Sequence, residues 1–260
     1  MELIAFLNDG NIANFLLLIL RFSGVIAFFP FFDSKLIPSS FKAVMIFFLA
    51  ILFMPLTKPF DTNISILEFM VAGLSEITFG FFGAFLLQVV FAALAYAGDV
   101  LGFGIGMSVS VNYDPLSGTQ NLIITQLLTL SAILVALSLD FHHLIMQFIA
   151  SSLQSVPLGG FMLSDNMLIY FIKSFSTIFL IGFTMALPVI GIIFLSDIIF
   201  GMITRAHPQF NLLVIGLPFK IIIALVVLII TFWGVIFHFK IELLNAFNNL
   251  SQFLKSISRL

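Results

Sequence analysis

Residues 65–98 read SILEFMVAGLSEITFGFFGAFLLQVVFAALAYAG, a 34-residue apolar run that holds two carboxylates, Glu68 and Glu76. An α-helix rises about 1.5 Å per residue, so this run as one helix reaches roughly 50 Å, well beyond a hydrocarbon core of ~30 Å. Period-2 alternation is absent, which argues against barrel strands. Small residues recur instead: Gly80, Gly83 and Ala84, then Ala92, Ala93 and Ala97. Such residues let helix backbones approach closely in an apolar medium.

The neighbouring segments extend the pattern. Ile12 to Phe31 is an apolar run of 20 residues, of which 13 are Ile, Leu, Val or Phe, and it carries Arg21. Its apolar residues outweigh the insertion cost of about +2.5 to +3.5 kcal/mol for one central arginine. Phe41 to Leu56 is short for a span. Leu122 to Leu139 follows, then a semi-polar segment from Asp140 to Gly160. Met167 to Thr204 runs 38 residues with Pro188 inside, where a kink or a split is expected. Leu212 to Phe239 is the last apolar run, and the tail from Lys240 to Leu260 suggests a short amphipathic helix. The expected fold is all-α: a polytopic, membrane-associated helical protein with long kinked helices. Runs of such unequal length suggest that other subunits, as well as lipid, cover them.

Composition sets the exclusions. Of 260 residues, 61% are hydrophobic and 8% charged, against about 25% charged in soluble domains. With 10 Lys and Arg and a net charge of −2 there is no basic footprint for nucleic acid. The absence of cysteine removes disulfides, thiolate metal sites and thiol nucleophiles. The N-terminal residues lack the positive n-region and small-residue cleavage site of a signal peptide, so an uncleaved, retained chain is expected. Lysine and arginine distribution across six drawn spans is near even and orients nothing.

Ionisable groups within the apolar runs are Arg21, Glu76, Asp99, Lys173, Asp197 and Lys220. Intramembrane charges point to an ion or proton pathway, or to pairing between helices and subunits; pairing is the preferred expectation. A secondary transporter coupled through Arg21, Glu76, Asp197 and Lys220 would carry inverted repeats and broken helices. Pro188 and Pro218 are present without a matching repeat. Asp140, His142 and His143 form a D-x-H-H cluster of zinc-compatible residue types. Adjacent histidines on a helix diverge by about 100°, and no third histidine lies nearby. A polar helix start capped by Asp140 is therefore expected, with no metal, no catalytic residue and no cofactor.

Gly102 to Gly118 reads GFGIGMSVSVNYDPLSG. It does not match a nucleotide-binding glycine loop, since no strand precedes it and no lysine follows. Glycine, proline and small polar residues predict a loop of about 17 residues between apolar runs. At membrane depth such a loop needs protein or a water-filled cavity around it. Its apolar members Phe103, Ile105, Met107, Val109 and Val111 alternate with Gly104, Gly106, Ser108 and other small residues, which suits a deformable constriction that seals a pore by dewetting.

Several short motifs in order resemble one family. They are Arg21-Phe-Ser-Gly24, Phe29-Pro-Phe31, Ile37-Pro38, the loop ending Asp114-Pro115-Leu-Ser-Gly118, Leu139-Asp-Phe-His-His143, Val156-Pro-Leu-Gly159, Ala186-Leu-Pro188 with Asp197 and Gly201, and Gly216-Leu-Pro-Phe-Lys220. The set resembles the FliR family of type III secretion export-apparatus proteins, its flagellar branch more than the injectisome one. The resemblance implies a non-enzymatic, pore-forming core subunit of the flagellar export gate. Such a subunit sits in the bacterial inner membrane at the basal body and assembles with FliP, FliQ and FlhB-type partners for the passage of unfolded flagellar proteins. It implies an N-terminal part, residues 1–160, similar to FliP, and a C-terminal helical hairpin with tail, residues 161–260, similar to FliQ and turning near His207-Pro208. The family's plug maps onto 102–118. The remaining candidate positions, Gly80, Gly83, Asp99, Pro188, Pro218 and the buried charges, are expected to serve helix and subunit packing.

Overall fold

The computed structural model describes residues 9–30, 32, 37–57, 60, 65–107, 122–162, 165–207 and 212–257. Among them every regular element is helical: α1 (Asp9–Phe28), α2 (Ser39–Phe53) with a 3-10 turn at Met54–Leu56, α3 (Ile66–Ile105), α4 (Ile123–Ser138), α5 (Phe141–Ser155), α6 (Asp165–Ala206), a π-turn at Leu212–Gly216, and α7 (Leu217–Ile257). Five helices are long and apolar enough to cross a membrane, and α4 with α5 makes a sixth if the pair counts as one span. The chain is a multi-pass, all-α membrane protein.

Two boundaries differ from expectation. Helix α3 does not stop at Gly98 but continues to Ile105. At Pro188, where a kink or a split is expected, helix α6 is not split. An interior proline costs about 3 kcal/mol, but Met185, Ala186, Val189 and Ile190 around it are buried, and that packing holds the helix together. The expected separate amphipathic tail is the continuation of α7, which runs without interruption to Ile257. Pro218 sits in the first turn of α7, where a missing N–H costs little.

The chain divides into two compact units. The first comprises residues 1–88, 140–174 and 244–260, the second 89–139 and 175–243. The expected partition at residue 160 follows family likeness along the sequence, whereas these units are spatial, and α3, α6 and α7 each contribute to both.

The first unit is organised by a buried ion pair. Arg21 on α1 and Glu76 on α3 are both fully buried. Arg21 Nε donates to Glu76 Oε2, and Nη2 donates to Glu76 Oε1 at 3.0 Å. Nη2 also donates to the Val156 carbonyl at 3.2 Å, and Nη1 reaches Ser152 Oγ at 3.4 Å. Glu76 Oε1 accepts a further bond from the Gly159 amide at 2.6 Å. The guanidinium lies over the Phe79 ring, 4.7 Å from its centre. Phe79 in turn stacks on Phe148 and meets Phe161 edge-on. Both charges are thus satisfied by a bidentate fork and flanking backbone groups, the condition under which a buried pair is tolerated.

The pairing requires α1 and α3 to touch, and glycine permits it. Gly24 lies one turn after Arg21, and Gly80 one turn after Glu76. A Cβ on Gly24 would come within 2.5 Å of the Ile77 carbonyl oxygen; one on Gly80 would strike the Arg21 carbonyl and the Val25 amide. One turn further, Gly83 accepts the Phe148 ring.

The second unit packs on small residues as well. Ala93, Leu94, Ala97 and Leu101 of α3 are buried. A Cβ at Gly182 of α6 would meet the Ala93 carbonyl and Tyr96. Tyr96 contacts Phe179 edge-on, and Phe91 contacts Phe239 likewise.

Two consequences are measurable on the purified chain in detergent. Gly80→Ala forces backbone apart, an overpacking worth about 1–3 kcal/mol, and lowers the unfolding temperature by about 5 °C. Gly201→Ala, with nothing within 4 Å of its Cβ, leaves it unchanged or raises it; equal losses in both variants contradict the close-approach argument. Glu76→Gln strands a buried guanidinium and costs about 3–5 kcal/mol, while Arg21→Met combined with Glu76→Met recovers most of the loss. Equilibrium unfolding in mixed micelles reads both, and a double variant no better than the single one contradicts a pair.

Candidate functional site

The glycine-rich end of α3 is built by two separate uses of glycine. The first is close packing. A Cβ on Gly98 would lie 2.6 Å from Thr125 Cα, and one on Gly102 would strike the Leu122 side chain. Helix α4 is therefore seated directly on the α3 backbone. Beside this contact Thr125 Oγ1 donates to Asp99 Oδ1 at 2.6 Å. Gly104 faces Ile193 of α6 at ordinary contact distance.

The second use is termination. Gly106 has φ +91°, a conformation open to glycine at little cost. Its amide donates to the Phe103 carbonyl, and the Met107 amide donates to the Gly102 carbonyl, both at 3.0 Å. This pair of bonds is the Schellman closure of a helix C-terminus. Leu101 and Ile105 are fully buried, whereas Phe103 is 63% exposed on the same last turn.

The expected loop is corrected accordingly. Gly102, Phe103, Gly104 and Ile105 are helical, Gly106 and Met107 form the turn that ends the helix, and Ser108, Val109, Val111, Asp114, Pro115 and Gly118 lie outside the described residues. Three glycines in five residues mimic a loop because their propensity cost, about 1 kcal/mol each, is visible in sequence while the packing that offsets it is tertiary. A glycine just past the last periodic residue was the available signal for the helix end.

The charged candidates fall into separate places. Arg21 and Glu76 pair with each other inside the first unit. Asp197 on α6 and Lys220 on α7 pair in the second, with Lys220 Nζ 2.7 and 2.9 Å from the two carboxylate oxygens. Lysine is well covered and aspartate half-exposed. The pair fixes the register of α6 against α7, whose connection passes through His207 and residues 208–211, the latter outside the described set. The sequence singles out all four groups but not who pairs with whom; it gives no sign of Ser152 or Thr125, and it offers Gly24 and Gly159 only as motif residues without a role.

Asp140, His142 and His143 stand apart at the start of α5. Asp140 occupies the N-cap position, but in the left-handed region at φ 53°, and its side chain makes no capping hydrogen bond. That corrects the expected cap: the backbone carbonyl of Asp140 accepts the His143 and Leu144 amides instead.

Large apolar side chains cover much of the outer helix surfaces. In the most apolar stretch of α3, 72% of the residues are buried, against 33% in α6 and 22% in α7. Leu187, Phe194 and Ile198 on α6, and Ile229, Ile230 and Trp233 on α7, are exposed.

Residues 12–246 match the model of the family described as bacterial export proteins, family 1. The flagellar biosynthetic protein FliR of Bacillus subtilis is 32% identical over 220 residues, covering 83% of this chain and 85% of that protein. FliR of Aquifex aeolicus is 29% identical, covering 82% and 84%, and FliR of Escherichia coli 25%, covering 80% and 79%. On a match that spans nearly its whole length, the chain belongs to the bacterial export proteins, family 1.

Proposed function

We propose that the chain is a structural, pore-forming subunit of the flagellar type III protein export gate, in the bacterial inner membrane at the basal body. The observation that carries this is the family match over residues 12–246, whose relatives are flagellar biosynthetic proteins. The work is mechanical rather than catalytic. Partners of the FliP, FliQ and FlhB type complete a ring, with residues 1–160 in the FliP-like role and 161–260 in the FliQ-like one. Unfolded flagellar proteins pass through it.

Two physical features support the division of labour. The exposed faces of α6 and α7 present large apolar side chains, Phe194 and Trp233 among them, that need cover from lipid or from a neighbouring subunit. They also carry the half-exposed Asp197 carboxylate, which is costly against acyl chains. A neighbouring polypeptide satisfies both. The plug role is assigned to the segment that starts at Gly102. Its root is rigid, because Gly98 and Gly102 lock α3 to α4 and Gly106 ends the helix abruptly. A stopper needs such a fixed anchor and an apolar, small-residue body. Phe103, exposed on the last turn, is the first apolar group offered to the channel.

Deleting residues 108–118 leaves this anchor untouched. The gate purified with its partners assembles as before, and in planar bilayers it conducts ions where the parent complex is closed. Unchanged conductance in an assembled deletion complex removes the plug assignment.

A further inference from the structure

We propose that Asp140, His142 and His143 bind one divalent transition-metal ion of the borderline class, Zn2+ being the type. This goes beyond the export-gate function and does not depend on it. The sequence argument against such a site is that neighbouring helical histidines diverge by about 100°. The structure removes that objection. The chain enters α5 through Asp140 in a left-handed conformation, and in the first turn the two imidazoles lie with ring centres 4.2 Å apart, tilted by 41°. One ligand atom from each of the three residues lies within 4.8 Å of the other two.

Ligands about 2.0–2.1 Å from a tetrahedral zinc stand roughly 3.3 Å apart. Closing the gap from 4.8 Å takes about 1.5 Å of relative side-chain movement. All three residues are exposed, with side chains 76% (Asp140) and 69% (His143) accessible, so nothing resists it. Among the described residues, no hydrogen bond from another residue engages these ligand atoms. The Asp140 carboxylate makes no capping bond, and its Oδ1 lies 3.7 Å from His143 Nδ1, too long for a hydrogen bond.

Two imidazoles with one carboxylate select borderline ions over Ca2+ and Mg2+, which prefer all-oxygen shells. A helix N-terminus disfavours a cation, by about two- to fivefold in affinity; the Asp140 carboxylate works against that. Three protein ligands leave a position for water. The ion ties the left-handed corner residue to the first turn of α5.

The test is Zn2+ titration by calorimetry of the full chain, purified without a polyhistidine tag, beside His142→Ala/His143→Ala and His207→Ala/His238→Ala variants. Circular dichroism confirms that each is folded, and the substituted side chains at 142 and 143 are exposed. The expected result is one saturable equivalent in the parent and in the 207/238 variant. The 142/143 variant loses at least about tenfold in affinity, since even outer-shell changes cost that much. Absence of saturable binding in the parent, or binding equal in the 142/143 variant, overturns the proposal.

Discussion

Two opposite charges fully buried in an apolar core must meet, and the first unit is arranged so that Arg21 and Glu76 do. Unpaired, either group makes a helix-rich apolar protein costly to fold; paired through a bidentate fork with two backbone groups, they are neutralised in place. That requirement propagates. The helices carrying them must be in backbone contact, which only Gly24 against Gly80 allows. The segment 156–159 must pass close enough to offer a carbonyl to the arginine and an amide to the glutamate. Phe79, Phe148 and Phe161 then wall the site off from solvent. A directional polar contact of this kind fixes register in a core otherwise made of interchangeable apolar surfaces.

The second unit relies on contact more than charge. Gly98, Gly102 and Gly182 bring backbones together, and Asp99–Thr125 and Asp197–Lys220 set registers at its edges. In an apolar medium, burial of greasy surface gives little drive for helix association, so close van der Waals packing and a few polar contacts carry it. The same logic explains why the outer faces of α6 and α7 remain open. They have large exposed side chains, and on the proposed function a neighbouring subunit completes their packing.

Much of the fold was legible because apolar runs longer than a bilayer is thick leave few alternatives to helix. The errors share a cause. At Gly102–Ile105, local propensity spoke for interruption and tertiary packing overruled it. At Lys240, amphipathicity changed while the helix did not. In the candidate site, single residues were legible and partnerships were not. Arg21 and Glu76 are 55 positions apart, and nothing in either segment names the other, although each is followed one turn later by a glycine. The left-handed Asp140 was invisible for a different reason: aspartate before an apolar segment reads as an ordinary cap, and neither its backbone conformation nor the side-chain rotations that bring the two imidazoles together leave a mark in the letters.

On the proposed function, the exposed apolar faces of the long helices are covered by other polypeptides. A photo-reactive phenylalanine analogue placed at Phe194, and separately at Trp233, in cells making the whole export apparatus tests it most directly. Light-dependent adducts with a second protein subunit at either position are the predicted result. Adducts with lipid alone at both positions, in fully assembled apparatus, contradict the account.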